Sequence, residues 1–170
     1  MAINKIELAN SFADFVKAHD WDIYFTATLR APVKTIPVKQ NGQSRDVVVW
    51  RNDIASMRKE FQFFFSTLNG YVTFFDRYML ALVCFDRAYK GGRLHVHALI
   101  QRIPPQYCRA LQSVAYDFFG ESKVTPYDPK RDVRYYFGNK YAYSGSSDFD
   151  FLKINARWRK PVLWPDFKIK

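Results

Sequence analysis

Apolar positions repeat along this chain with two different periods, and the changes between them mark out its elements. Over Ile6 to Ala18 the residues Ile6, Ala9, Ala13 and Val16 recur at three- and four-residue spacings, which predicts a short amphipathic helix. Trp21 to Arg30 (WDIYFTATLR) is aromatic and β-branched and predicts a strand. Pro32 and Pro37 are expected to break the next segment, and Val38 to Trp50 predicts a hairpin around an Asn41-Gly42 turn. Asp53 is placed to cap a helix running to about Leu68, with Ile54, Met57, Phe61, Phe64 and Leu68 along one side and Gly70 just beyond its end.

The clearest hairpin comes next. Tyr78 to Asp86 (YMLALVCFD) is an apolar strand, Tyr89 to Arg93 a turn, and Leu94 to Gln101 (LHVHALIQ) the returning strand. Pro104 and Pro105 open a helix that Gly120 closes after Phe119, Val124 to Tyr127 forms a short strand, and Arg131 to Tyr143 is helical but weakened by Gly138. From Ser144 the chain is first Gly/Ser-rich, then basic and aromatic, without clear periodicity. This order predicts an α+β fold, with an antiparallel sheet and helices packed against it. Residues 1–150 are expected to carry the activity. Residues 151–170 read as a basic aromatic tail of the same single domain.

Composition sharpens this picture. With 170 residues, 48% apolar and 25% charged, the chain is long enough to bury a core and is not disordered in character. Aromatics are dense at 18%; much of that is expected in the core, and some as stacking surface. The balance of 26 basic against 16 acidic residues gives +10, which attracts polyanions. Cys84 and Cys108 have neither CxxC nor zinc spacing. No apolar run has the length of a membrane span, and the N-terminus has no signal-peptide pattern, so a soluble cytoplasmic protein with reduced thiols is expected.

Candidate chemistry centres on His95 and His97. Two apart on a strand, they project from the same face, and two convergent neutral imidazoles make half of a divalent-metal site. Asp86, at the end of the paired strand, can add a carboxylate from a strand about 4.8 Å away, suited to Mg²⁺ or Mn²⁺. A salt bridge from Asp86 to Arg87 or Arg93 is the competing role. Tyr136 and Lys140 stand four apart on a helix, with Tyr143 three further on. A phenol of ordinary pKa near 10 needs a nearby cation or a polarised phosphate before it attacks. Taken alone, Tyr135, Tyr136, Phe137, Tyr141 and Tyr143 read more readily as an ordinary aromatic helix face, part core and part surface. His19 is expected at a helix end.

Taken in order, Phe25-Thr26-Ala27-Thr28-Leu29, then Gly92-Arg93-Leu94-His95-Val96-His97-Ala98-Leu99-Ile100, then Tyr136-Phe137-Gly138-Asn139-Lys140-Tyr141 resemble the three motifs of HUH endonucleases, particularly the rolling-circle replication initiators of plasmids and phages. The second motif is the most specific, and together they span residues 21 to 143. The resemblance implies a ferredoxin-like central antiparallel sheet with flanking helices. It further implies a metal held by His95 and His97, with Asp86 standing where the family's third ligand is often Glu or another polar residue, and a tyrosine that nicks single-stranded DNA or an origin hairpin through a 5′-phosphotyrosine. Tyr136 would attack and Lys140 assist, with Tyr135, Tyr141 and Tyr143 as alternative nucleophiles. Arg30, Arg93, Arg131, Arg134, Thr26 and Thr28 would bind DNA, joined by Lys34, Arg157, Arg159 and Lys160. The third motif departs from the common Tyr-x-x-Lys, because Phe137 stands three before Lys140. If Phe137 replaces the nucleophile, the protein binds DNA without cutting it.

Replication would call on a host helicase. A single-tyrosine transposase is the sister reading. A silent DNA- or RNA-binding module and a water-using metal phosphoesterase are the readings from other classes.

Overall fold

A six-stranded antiparallel sheet organises the computed structural model, which describes residues 5–28, 32–50, 54–68, 79–87, 94–137, 149–154 and 162–163. In chain order the elements are α1 (Lys5–Lys17), β1 (Ile23–Thr28), β2 (Pro32–Gln40), β3 (Gln43–Trp50), α2 (Ile54–Thr67), β4 (Met79–Arg87) and β5 (Leu94–Ile100). They continue with a 3₁₀ turn (Pro105–Tyr107), α3 (Cys108–Phe119), β6 (Ser122–Pro126), α4 (Val133–Phe137), β7 (Phe149–Ile154) and β8 (Val162–Leu163). The sheet runs β6-β1-β5-β4-β7-β8, so β5, which carries both histidines, lies between β1 and β4. This is the α+β architecture expected from the sequence.

Strand alternation sends side chains into two separate cores. On one face Ile23, Phe25, Val83, Phe85, Val96 and Ala98 meet Met57, Phe61, Phe64 and Phe65 of α2, with Leu111, Ala115 and Phe119 of α3. This core is largely aromatic: the Phe25 ring stacks on Phe64 at 4.9 Å and packs obliquely against Phe119 at 5.6 Å. On the other face Tyr24, Leu82, Cys84, Leu99 and Phe151 meet Phe12 and Val16 of α1, with Val133, Tyr136 and Phe137 of α4. Val96 therefore points into the first core and His95 and His97 point to the second face, as their spacing required.

The expectation that Pro32 and Pro37 interrupt regular structure is overturned. Both lie in β2, which among the described residues pairs with β3 alone in a two-stranded ribbon. Each strand of such a ribbon keeps one unpaired edge, where a residue without an N–H is tolerated. The Asn41-Gly42 turn has positive φ at both residues (53° and 78°), the requirement of a type I′ hairpin.

The segment after Ser144, which shows no clear periodicity, supplies β7, antiparallel to β4, and β8 beside it. Strand β7 runs from Phe149 to Ile154 and so crosses position 150. The predicted helix over Arg131 to Tyr143 is seen as α4, and Gly138 to Tyr143 lie outside the described residues. Among the described residues, no helix is long and apolar enough to cross a membrane.

Candidate functional site

The second face of the sheet, where β1, β5 and β4 run side by side, gathers the polar residues. Thr28, His95 and Asp86 form one row across these strands, and Thr26, His97 and Cys84 form the next. Two hydroxyls hold the imidazoles. Thr28 Oγ1 lies 3.0 Å from His95 Nδ1, and the Tyr24 hydroxyl lies 3.1 Å from His97 Nδ1. The Tyr24 hydroxyl also donates to the carbonyl of Tyr136 at 3.4 Å. A phenol has one proton to donate, so the arrangement that satisfies all three groups has His97 Nδ1–H donating to Tyr24. That tautomer leaves the lone pair of His97 on Nε2, the usual consequence of a hydroxyl or carbonyl partner at Nδ1. The Tyr24 ring runs nearly parallel to the His97 ring, 14° apart in plane with centroids at 6.4 Å.

Asp86 sits directly across from His95, and its Oδ1 is shielded from solvent. Two imidazoles and a carboxylate from neighbouring strands are the donor types a divalent ion takes. Among the described residues, however, no three His, Cys, Asp or Glu side chains already converge as a metal cage. The arrangement is a half-site, with the carboxylate one strand away.

Helix α4 packs on the same face. Tyr136, the expected nucleophile, is only 2% exposed. Its hydroxyl donates to the Asp128 carbonyl at 2.6 Å and accepts from the Asp128 N–H at 3.0 Å, while its ring packs on Tyr24 and Tyr127. Burial pushes its phenol pKa up, although the Asp128 hydrogen bond opposes this. Phe137 is buried against Phe12 and Phe149.

Tyr135 differs from both. It is 50% exposed, its ring lies 6.1 Å from Tyr24, and the Arg131 guanidinium sits 4.1 Å above it. The Tyr24 phenol is pushed up to about 12, first by burial and next by repulsion from the Tyr135 phenol.

The expected phosphate-binding residues divide. Thr28 is buried against His95, and Thr26 lies opposite His97 with a side chain that interacts with Tyr24. Arg131 pairs with Asp128 at 3.3 Å and Arg134 with Asp132 at 2.9 Å, all at the surface, where such pairs exchange partners at little cost. Lys34 is on β2. Lys140, Tyr141, Tyr143, Arg30, Arg93, Arg157, Arg159 and Lys160 lie outside the described residues.

Two participants escaped the sequence reading. Tyr24 carried a usable signal, since it lies two before Thr26 on β1 and shares its face. Exposed Lys123 of β6 lies opposite Thr26 in the row of His97, and only the register reveals it. No protein-family model, no curated protein and no solved structure matches this chain.

Proposed function

We propose that this chain is a metal-dependent nicking and strand-transfer enzyme of the HUH endonuclease type, acting on single-stranded DNA to start rolling-circle replication of a plasmid or phage. The ferredoxin-like arrangement that such a family implies is part of the same proposal. One observation carries the reading: the His97–Tyr24–Tyr136 hydrogen-bond chain, which occupies His97 Nδ1 and leaves the Nε2 lone pair for a ligand, on the same sheet face as His95. Metal-ligating histidines almost always carry such a partner on the ring nitrogen that does not bind the ion.

A bound Mg²⁺ or Mn²⁺ would polarise the scissile phosphate and neutralise developing charge. His95 and His97 would hold it, with Asp86 turning toward them, while Thr28 and Tyr24 fix the two rings. Tyr135 is the attacking residue best supported among the described tyrosines: it is accessible, and the Arg131 guanidinium over its ring places a positive charge beside the approaching phosphate. Its hydroxyl oxygen bonds to phosphorus as the bond to the 3′-oxygen breaks. The phenol proton leaves to solvent and the departing 3′-oxygen takes one up, so a 5′-phosphotyrosine and a 3′-hydroxyl result. Tyr136 is then a positioning residue, its carbonyl ending the hydrogen-bond chain. Lys123 and Arg131 supply positive charge for the phosphate backbone.

The lack of a converged ligand trio among the described residues favours one rival, a silent nucleic-acid-binding module. Incubation with a pool of single-stranded oligonucleotides in Mn²⁺ separates the two. We expect cleavage that EDTA abolishes and that His97→Ala and His95→Ala reduce at least a hundredfold. Binding that persists in EDTA with no cleavage by any variant would support the silent module.

A further inference from the structure

At the far end of β1 from the histidines, the end of α1 and the loop after β6 enclose a second feature, a pocket of about 230 Å³. Lys17, His19, Asp20, Trp21, Tyr127 and Pro129 line it. It is smaller than the 300–1,000 Å³ typical of drug-sized ligands, so it suits one small planar group. Its framework is fixed: Trp21 is buried with its indole N–H on the Val16 carbonyl at 2.9 Å, and the His19 ring is held between Phe15 and Trp21 with Nδ1 at 2.8 Å from the Phe15 carbonyl. The opposite wall, Tyr127, rests on Tyr136 with centroids 5.0 Å apart. Aromatic walls, an exposed lysine and an exposed carboxylate at the rim form a mixed lining that an apolar docking groove would not have.

We infer that this pocket receives one unpaired nucleobase of the DNA strand whose phosphate reaches the histidines, an inference that rests on the function proposed above. The part-exposed Tyr127 ring takes a base by stacking, which every base permits, while His19 and Trp21 brace the other side. Lys17 meets the phosphate attached to it, and Asp20 accepts from an exocyclic amino group of the kind cytosine presents. The place in the fold fits the strand's path. Tyr127 contacts Tyr136, Tyr136 contacts Tyr24, and Tyr24 contacts His97, all on one face of the sheet. Trp21 precedes Thr26 by five residues, about 16 Å along an extended strand, within reach of a few unstacked nucleotides. A strand held at both points cannot slide, so the pocket sets which phosphate lies at the histidines.

The test uses the full chain in EDTA, where metal-dependent cutting does not intervene. Short single-stranded oligodeoxynucleotides are titrated while backbone amide shifts are followed by NMR. Saturable shifts clustered at residues 17–22 and 127–130 are expected, with affinity falling about tenfold in Tyr127→Leu and severalfold in Lys17→Gln. Lys17 is exposed, so its variant keeps the fold. Shifts confined to other regions, or two variants binding as wild type, overturn the pocket. Nicking in Mn²⁺ without any response at these residues removes the pocket and leaves the endonuclease, whereas a response here without nicking keeps the pocket and removes the endonuclease.

Discussion

Tyr24 is the residue on which the chemistry of His97 turns. Its hydroxyl lies between the imidazole and the Tyr136 carbonyl, so removing it frees the ring to rotate and to change tautomer. Loss of such an orienting partner costs about 10–100-fold in metal affinity. We therefore expect Tyr24→Phe to weaken Mn²⁺ binding in that range, measured by calorimetric titration, with the fold retained. Tyr136 behaves differently. Tyr136→Phe strips the partner from a part-buried Asp128 N–H, a loss of about 1–3 kcal/mol in urea unfolding. If Tyr136 only positions, the folded variant still forms a DNA adduct. At this scale the sequence was partly readable. The His-x-His spacing on a strand set one shared face without any tertiary knowledge, whereas adjacent Tyr135 and Tyr136 look alike until the β6–α4 loop buries one of them.

Strand β7 shows why an element can hide from its own sequence. A half-buried strand announces itself by alternation, and here Phe149 and Phe151 face one core while Leu152 faces the other. Between them Asp150 occupies a core-facing position, 8% exposed, where a hydrophobic residue was the natural expectation. It is accepted because Arg58 of α2 meets it at 2.8 Å, a pairing that no local pattern reveals. By contrast β4 and β5 were legible because both faces of the central strands are covered, giving near-continuous apolar runs.

The Asp150 pair has a pH signature. Burial holds the Asp150 carboxyl above its ordinary 3.8, with the Arg58 hydrogen bond opposing. The folded state thus binds this proton more tightly than the unfolded state. Its contribution to stability is complete below pH 3.8 and is lost as pH rises through the raised folded-state value. Urea midpoints measured across that window should fall with pH in the wild type relative to Asp150→Asn. Parallel curves would contradict it.

For the whole molecule, charge and layering act together. A net charge of +10 draws a polyanion to the surface but names no residue that holds it. The sheet supplies that selection, bringing Thr26, Thr28, Asp86, His95 and His97 to one face across three strands while α1 and α4 close the rest of it. The α+β layout followed from the order of periodic segments, and the polar rows did not, because register is set by long-range pairing. The central claim is that this face makes a tyrosine attack DNA. Its most direct test is peptide mass mapping of the protein after reaction with single-stranded oligonucleotides and Mn²⁺. A nucleotide on Tyr135, lost in Tyr135→Phe and in His97→Ala, is the predicted result. Cleaved DNA with no nucleotide on any tyrosine would contradict the account and point to hydrolysis by water.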